Sequence, residues 1–493
     1  MKRLFNDNWR FYKSDLSVTK DQALANEKNF RPVEIPHDWL IHNTADLYED
    51  SIGWYIKDFE KPEIPEGGHV FLYFDGVYMD SVVFVNDKKA GEWKYGYSSF
   101  FFEITDALAD GSNRVLVSAK NESPNTRWYS GAGIYRNVYL IVKPADYLVT
   151  DGTYVHTDTE CFENGVGDFK IFVKSETVTN NSSLFYRVSV FDRNSSETLY
   201  SWEKHINDDV PAEVSAEVRN VRLWDIYDPN LYEIKIQLLR SGKVIDEEEY
   251  TIGFKNVEMT TDRGLFLNGR HIKINGTCEH HDLGILGAAV NREGIARRLR
   301  KLRKMGVNAI RTSHNMPARE LLDLCDEMGF LVMIESFDMW EGAKTKYDYA
   351  RFFKEWSAKD VKSWICRDRN RACLLLWSIG NEIGDTHASA HGQEITRYLR
   401  DEVWKYDPLH NAPVTIGSNY MPWENAQKCA DILKYAGYNY AERYYDKHHE
   451  EHPDWIIFGS ETASLVSSRG VYRFPYDRTV MSEIDEQCSA LGN

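Results

Sequence analysis

Paired cysteines and long apolar runs are both scarce in this sequence. Its seven cysteines are scattered and odd in number, with no Cys-x-x-Cys pair. That excludes a disulfide framework and a Cys-pair zinc site as organising devices, and it fits reduced structural thiols. No stretch approaches the roughly 18 consecutive apolar residues of a membrane-spanning helix. The first residues, Met1-Lys-Arg-Leu-Phe-Asn-Asp, lack the apolar core of a secretory signal. The expectation is therefore a cytoplasmic protein with no membrane partner. Positive charge is also in short supply, the net charge being −17, which argues against a nucleic-acid surface with its basic footprint. The one basic run, Arg297 to Lys304, is threaded by Ile295, Leu299 and Leu302 at helical spacing. It reads as the solvated face of an amphipathic helix.

What is plentiful is ordinary globular material: 27% charged residues and 13% aromatics over 493 residues. That length is too great for one core and implies two to four domains. Residues 1–145 read as strands, such as Val70–Phe74, Ser81–Val85 and Arg114–Val117, divided by turn formers, with Asn86-Asp87 as a hairpin turn. A β-sandwich of jelly-roll type is expected there. Residues 146–255 form a second all-β stretch, including Phe169–Val173, Tyr186–Phe191 and Tyr232–Gln237, of a length that suits an immunoglobulin-like sandwich.

From residue 256 onwards strands alternate with helices. Ile295, Leu299, Leu302 and Met305 make a helix face that ends near Gly306; Leu321, Leu324, Cys325 and Met328 make another, ending near Gly329. Strands are expected at 272–275, 307–311, 330–334, 374–377, 414–417, 435–440 and 456–458. Seven strands in this pattern suggest a (β/α)8 TIM barrel lacking its last strand, over 256–493.

Two of these strands share a grammar. Leu374-Leu-Leu-Trp377-Ser-Ile-Gly ends in Asn381-Glu382, and Trp455-Ile-Ile-Phe458-Gly-Ser ends in Glu461. In a parallel barrel the C-terminal strand ends carry the chemistry, and two carboxylates there suit glycoside hydrolysis. The competing reading is that each glutamate caps the next helix. The loop Asn125-Thr-Arg127-Trp128-Tyr129-Ser-Gly-Ala-Gly-Ile-Tyr135-Arg136 sets aromatics and arginines beside glycines. It suits either sugar contact or packing against the next domain.

At these residues the chain resembles glycoside hydrolase family 2, the β-galactosidase and β-glucuronidase family. Trp377–Glu382 resembles the family's acid/base motif, Gly459-Ser-Glu461 its nucleophile segment, and Asn308–Pro317 a further signature. The Asp75–Tyr78 and Arg127–Arg136 segments are most similar to the β-galactosidase branch. The resemblance implies Glu382 as general acid/base and Glu461 as nucleophile of a retaining exo-β-glycosidase acting on terminal β-galactosides. It implies substrate contacts from Asn381, His314, Arg311, Trp128 and Tyr440, with Tyr438 the alternative to Tyr440. His314 would touch sugar or orient a carboxylate. The implied partner is a small oligosaccharide or β-glycoside; no cofactor is required, and a divalent cation or sodium, like a homo-oligomer, is compatible with the resemblance. β-Glucuronidase and β-mannosidase are the alternatives within the family.

Three features depart from the family pattern. Ile334-Glu335-Ser-Phe-Asp338 stands where relatives often have Asp-Glu-Ala-Phe-Asp, and Arg369-Asn-Arg371-Ala372-Cys where Arg-Asn-His-Pro-Ser is commoner. Thirty-two residues follow Glu461, fewer than a loop, an eighth strand and its helix would need. The expectation is a truncated chain, weakly active or, as a reading of another class, an inert carbohydrate-binding remnant.

Overall fold

The computed structural model describes residues 1–179, 183–195, 197–207 and 210–462. The expected eighth-strand region after residue 462 lies outside the described residues. The first 143 residues form a sandwich. A six-stranded sheet centred on 51–60 and 112–121 packs on a four-stranded sheet centred on 138–143 and 69–74. Trp9, Tyr55, Val83 and Val117 from one sheet meet Leu72, Phe74 and Leu140 from the other in a closed core. The hairpin turn at Asn86-Asp87 joins Ser81–Val85 to Lys88–Trp93. Both turn residues take positive φ, 46° and 66°, the conformation that two-residue hairpins require.

The second sandwich pairs a three-stranded sheet (147–163, 166–178, 213–222) with a four-stranded one (198–206, 184–192, 232–240, 243–252). Alternate residues of each strand, Phe169, Ile171 and Val173 facing Tyr186, Val188, Ile234 and Ile236, supply its core.

The third unit is a parallel sheet whose strands follow one another in sequence order: Gly276–Glu279, Ala309–Thr312, Leu331–Glu335, Leu374–Asn381, Val414–Ser418, Tyr435–Asn439 and Ile456–Glu461. Six of the seven lie where the sequence puts them. The first does not. Residues 272–275 were the expected strand, but Arg270–Ile272 closes a small antiparallel sheet with Gly264–Leu267, and the barrel strand begins at Gly276. The alternation Ile272-Lys-Ile274 imitates a strand, whereas Gly276-Thr-Cys-Glu279 has little apolar signal because it is half-exposed.

Helices cover the outside of the sheet. Helix Arg292–Lys304 starts where the Asn291 side chain accepts from Gly294 N at 2.8 Å, a standard N-cap. Helix Arg319–Met328 stops at Gly329 with φ +75°, and a Cβ there would lie 2.7 Å from the Ile226 carbonyl oxygen. Only glycine meets both demands. The fourth strand is buried along its whole length, as expected for a strand covered on both faces.

The first sandwich docks directly on the barrel. Arg136 is buried and donates to the carbonyls of Met316 at 2.8 Å and Tyr97 at 3.0 Å. Tyr95 OH donates to Ser336 O at 2.6 Å. The 125–136 loop thus packs against the next domain, one of the two readings made of it. Its Tyr135 and Arg136 end packs at the junction, and its Arg127 and Trp128 end reaches the C-terminal face of the barrel.

Candidate active site

The site is assembled from strand ends. Asn381 and Glu382 leave the fourth strand together, and Glu461 closes the seventh. Between them stands Asn439, the last residue of the sixth strand. Its Nδ2 lies 3.2 Å from Glu382 Oε1 and 3.3 Å from Glu461 Oε2. The two carboxylate oxygens can therefore be no farther apart than the sum of those distances. That bound only touches the lower edge of the separation of about 6.5–9.5 Å that an inverting pair needs for its water.

Glu461 is held from three sides. Arg311 Nη1 donates to its Oε2 at 2.9 Å, Tyr440 OH makes a very short bond to its Oε1, and Asn439 supplies the third contact. Burial pushes the Glu461 carboxyl up from the usual range, while the charge of Arg311 works against that rise. Of the two tyrosines on the Gly-Tyr-Asn-Tyr turn, Tyr440 is therefore the one at the carboxylate. Tyr438 is buried behind it, bonded to His448 Nδ1 at 2.8 Å.

Beneath the pair lies a charged network organised by Arg311. Its guanidinium spans Glu335, at 2.9–3.1 Å through Nη2 and Nε, and Asn381 Oδ1, at 2.7 Å. Glu335 is completely buried and also accepts from Ser378 Oγ at 2.6 Å. His314 Nδ1 lies 2.6 Å from its other oxygen, and His314 Nε2 lies 3.9 Å from Glu461. Burial, then the Arg311 charge, holds the His314 imidazole well below its ordinary pKa. His314 is therefore a neutral ring locked on Glu335 with its second nitrogen turned towards Glu461.

On the Glu382 side the network continues through Asp338. Burial acts to raise this carboxyl, but the bond from Arg127 and the Lys344 charge outweigh burial and bring it down to about 2. Arg127, from the sandwich loop, grips Asp338 with two donors at 2.6 and 3.0 Å and reaches Glu382 Oε2 at 3.4 Å. Lys344 Nζ donates to Asp338 and to Asn381 O, both at 2.8 Å. Asn381 Nδ2 in turn donates to Asp338 at 2.9 Å. Trp128 lies under the Arg127 guanidinium at 4.8 Å, with the rings of His280 and His314 4.7 and 5.8 Å away.

Glu382, Glu461, Asn381, His314, Tyr440, Arg311 and Trp128 thus come together at one barrel mouth. Arg127 comes from the loop that the sequence singles out; four further partners, Glu335, Asp338, Asn439 and Lys344, were not assigned to the site from the sequence. Glu335 had a usable signal, for it follows the apolar run Leu331–Ile334 as Glu382 follows its own. Lys344 had none.

Three matches to family models tile the chain: the sugar binding domain of glycosyl hydrolases family 2 over residues 5–144, the family 2 domain over 153–255, and the family 2 TIM barrel domain over 257–456. The chain belongs to glycoside hydrolase family 2. Within the family it is similar to the β-galactosidase BoGH2A of Bacteroides ovatus, 37% identical over 96% of this chain and 60% of that protein. It is also similar to a β-glucuronidase of Bacteroides fragilis, 29% identical over 84% of this chain and 61% of that one. A crystal structure of a family 2 member from Bacteroides cellulosilyticus superposes with a TM-score of 0.85 at 33% identity, covering 94% of this chain and 62% of that one. The chain therefore spans about three-fifths of the length of these relatives.

Proposed function

We propose that this chain carries the catalytic site of a retaining β-glycosidase that releases terminal β-galactosyl groups by double displacement. The observation that carries the proposal is the Asn439 bridge, which ties together one oxygen from each of two carboxylates on different strands and keeps them no farther apart than the lower edge of the inverting range. Glu461 is the nucleophile. Its carboxylate attacks the anomeric carbon as the bond to the leaving oxygen breaks, and Glu382 delivers its proton to that oxygen. Glu382 then takes a proton from water, whose oxygen attacks the anomeric carbon and expels Glu461.

The surrounding donors suit those roles. Arg311 and Tyr440 orient Glu461 and favour its charged form, which a nucleophile must have. Asn381 is fixed by Arg311, Asp338 and Asn439, so its amide is set to bond the 2-hydroxyl, a contact expected to strengthen in the transition state. Trp128 and His314 line the sugar side. The reaction is drawn without a cofactor.

A neutral sugar is favoured over a uronic acid by the charge pairing. Among the described residues, the cations at the mouth, Arg311, Arg127 and Lys344, are each already engaged by carboxylates. A glucuronide carboxylate would have to displace one of those partners.

The test is a panel of aryl β-galactosides, β-glucuronides and β-mannosides, with the first-formed sugar anomer read by NMR. Turnover led by the galactoside with β-anomer released first is the expected result. Release of the α-anomer, or turnover confined to the glucuronide, would contradict the mechanism or the sugar. Binding without turnover would point to the inert-remnant alternative.

A further inference from the structure

General acid catalysis fixes where the leaving group sits. Glu382 must face the glycosidic oxygen, so the aglycone lies on its side of the site, away from Glu461. On that side the chain builds an aromatic corner. Glu382 N donates to Gly417 O at 2.7 Å, joining the ends of the fourth and fifth strands. His387 lies on the short helix Gly384–Ala388 that follows Glu382, and Tyr420 and Trp423 follow Val414–Ser418.

The three rings are in contact. His387 stacks on Tyr420 at 4.0 Å and 15°. Trp423 stands against both, 5.7 Å from Tyr420 at 70° and 5.8 Å from His387 at 57°. Backbone and amide bonds fix the corner: Tyr420 N to Ser418 Oγ at 3.0 Å, and Asn425 Nδ2 to His387 O at 3.3 Å. Burial raises the Tyr420 phenol, and the charge of Glu382 adds to the rise. The corner therefore lies within the electrostatic reach of the acid/base.

Trp423 is 50% exposed, the only tryptophan among the described residues with so much of its surface in water.

We propose that His387, Tyr420 and Trp423 form the leaving-group subsite and that it accepts a planar aromatic aglycone. The inference rests on the glycosidase reading above and adds the chemistry of the departing group. An aromatic ring can lie on one wall of the corner and present its edge to the other, both favourable arrangements. A sugar in the same place would need a directed partner for each hydroxyl it desolvates; beside its ring faces the corner offers two unpartnered buried polar atoms, His387 Nδ1 and Asn419 Oδ1, fewer than the hydroxyls of a hexose. Glu424, next to Trp423 in the chain, is paired with Lys428 at 2.6 Å.

The test pairs binding with turnover. Affinities of phenyl and methyl 1-thio-β-glycosides of galactose, glucuronic acid and mannose are measured by calorimetry on the full chain, its Trp423→Ala variant and its Trp423→Phe variant. Turnover of the matching O-phenyl glycosides is followed in parallel, with circular dichroism checking that each variant is folded. The preference for phenyl over methyl is expected to fall about ten-fold in Trp423→Ala and to recover largely in Trp423→Phe. The same preference in all three proteins overturns the subsite, and if turnover persists the glycosidase reading stands. A phenyl preference lost in Trp423→Ala without turnover by the wild-type chain supports the subsite and overturns the glycosidase reading. Neither preference nor turnover overturns both.

Discussion

Arg311 sets one cation between the buried Glu335, the half-buried Glu461 and the amide of Asn381. Replacing it with lysine keeps the charge but loses the planar fork. Breaking a buried pair costs roughly 3–5 kcal/mol, so Arg311→Lys should lower kcat/KM at least about 100-fold, which steady-state kinetics on an aryl galactoside would read. A second consequence concerns pH. Glu461 must be ionised to attack, and burial raises its carboxyl while Arg311 opposes the rise. Activity should therefore fall as pH drops through that raised value, and Arg311→Gln should move the acid limb to higher pH. A limb that stays in place would mean that another group controls it. For Glu382, truncation to alanine should harm glycosides with poor leaving groups far more than activated aryl glycosides, which need little protonation. Equal losses across a leaving-group series would exclude it as the acid.

Single strands show what the sequence made legible. Apolar runs closed by glycine and a carboxylate marked the fourth and seventh strands; the fourth is buried along its whole length, whereas the apolar residues of the seventh are half-buried among the described residues. The first strand, paired on one flank only among the described residues and with Thr277 and Cys278 in its middle, carries no such signal, and the sequence places it four residues early. Asn439 was invisible for a different reason. An amide matters only through what it bridges, and its bridge joins residues 381–382 to 461 across the barrel mouth. The fifth strand allows a sharp test of this architecture. A Cβ on Gly417 would lie 2.6 Å from Arg311 Nη2 and 3.3 Å from Asn439 Oδ1. Arg311 is pinned and cannot yield, so Gly417→Ala should cost about 1–3 kcal/mol of stability. It should also cut activity disproportionately, as thermal melts alongside kinetics would reveal.

At the scale of the whole molecule, the first sandwich contributes Arg127 and Trp128 to the candidate active site, so the proposed function depends on its attachment to the barrel. One joint of that attachment is a buried carboxylate. Asp360, on the helix Phe353–Asp368, accepts from Trp93 Nε1 at 2.8 Å and Ser98 Oγ at 2.7 Å in the sandwich, and from Tyr349 OH. Burial pushes its carboxyl up to about 7, against those hydrogen bonds. The unfolded value is about 3.9, so the native state binds this proton more tightly. Its contribution to stability is complete below about pH 4 and is lost as pH rises through about 7. Relative to wild type, Asp360→Asn should therefore gain melting temperature between pH 5 and 8.5; a constant difference would show that the group does not titrate as described.

The central claim is that Glu461 forms a covalent bond to the sugar. A 2-deoxy-2-fluoro-β-galactoside with an activated leaving group should slow the second displacement enough for the glycosyl-enzyme to accumulate. Mass spectrometry of the intact chain and of its peptic peptides would then locate the label. The account predicts one fluorogalactosyl group per chain, on Glu461, and none on Glu461→Gln. A label on any other residue, or hydrolysis of natural galactosides with α-anomer released first and no label at all, would contradict it.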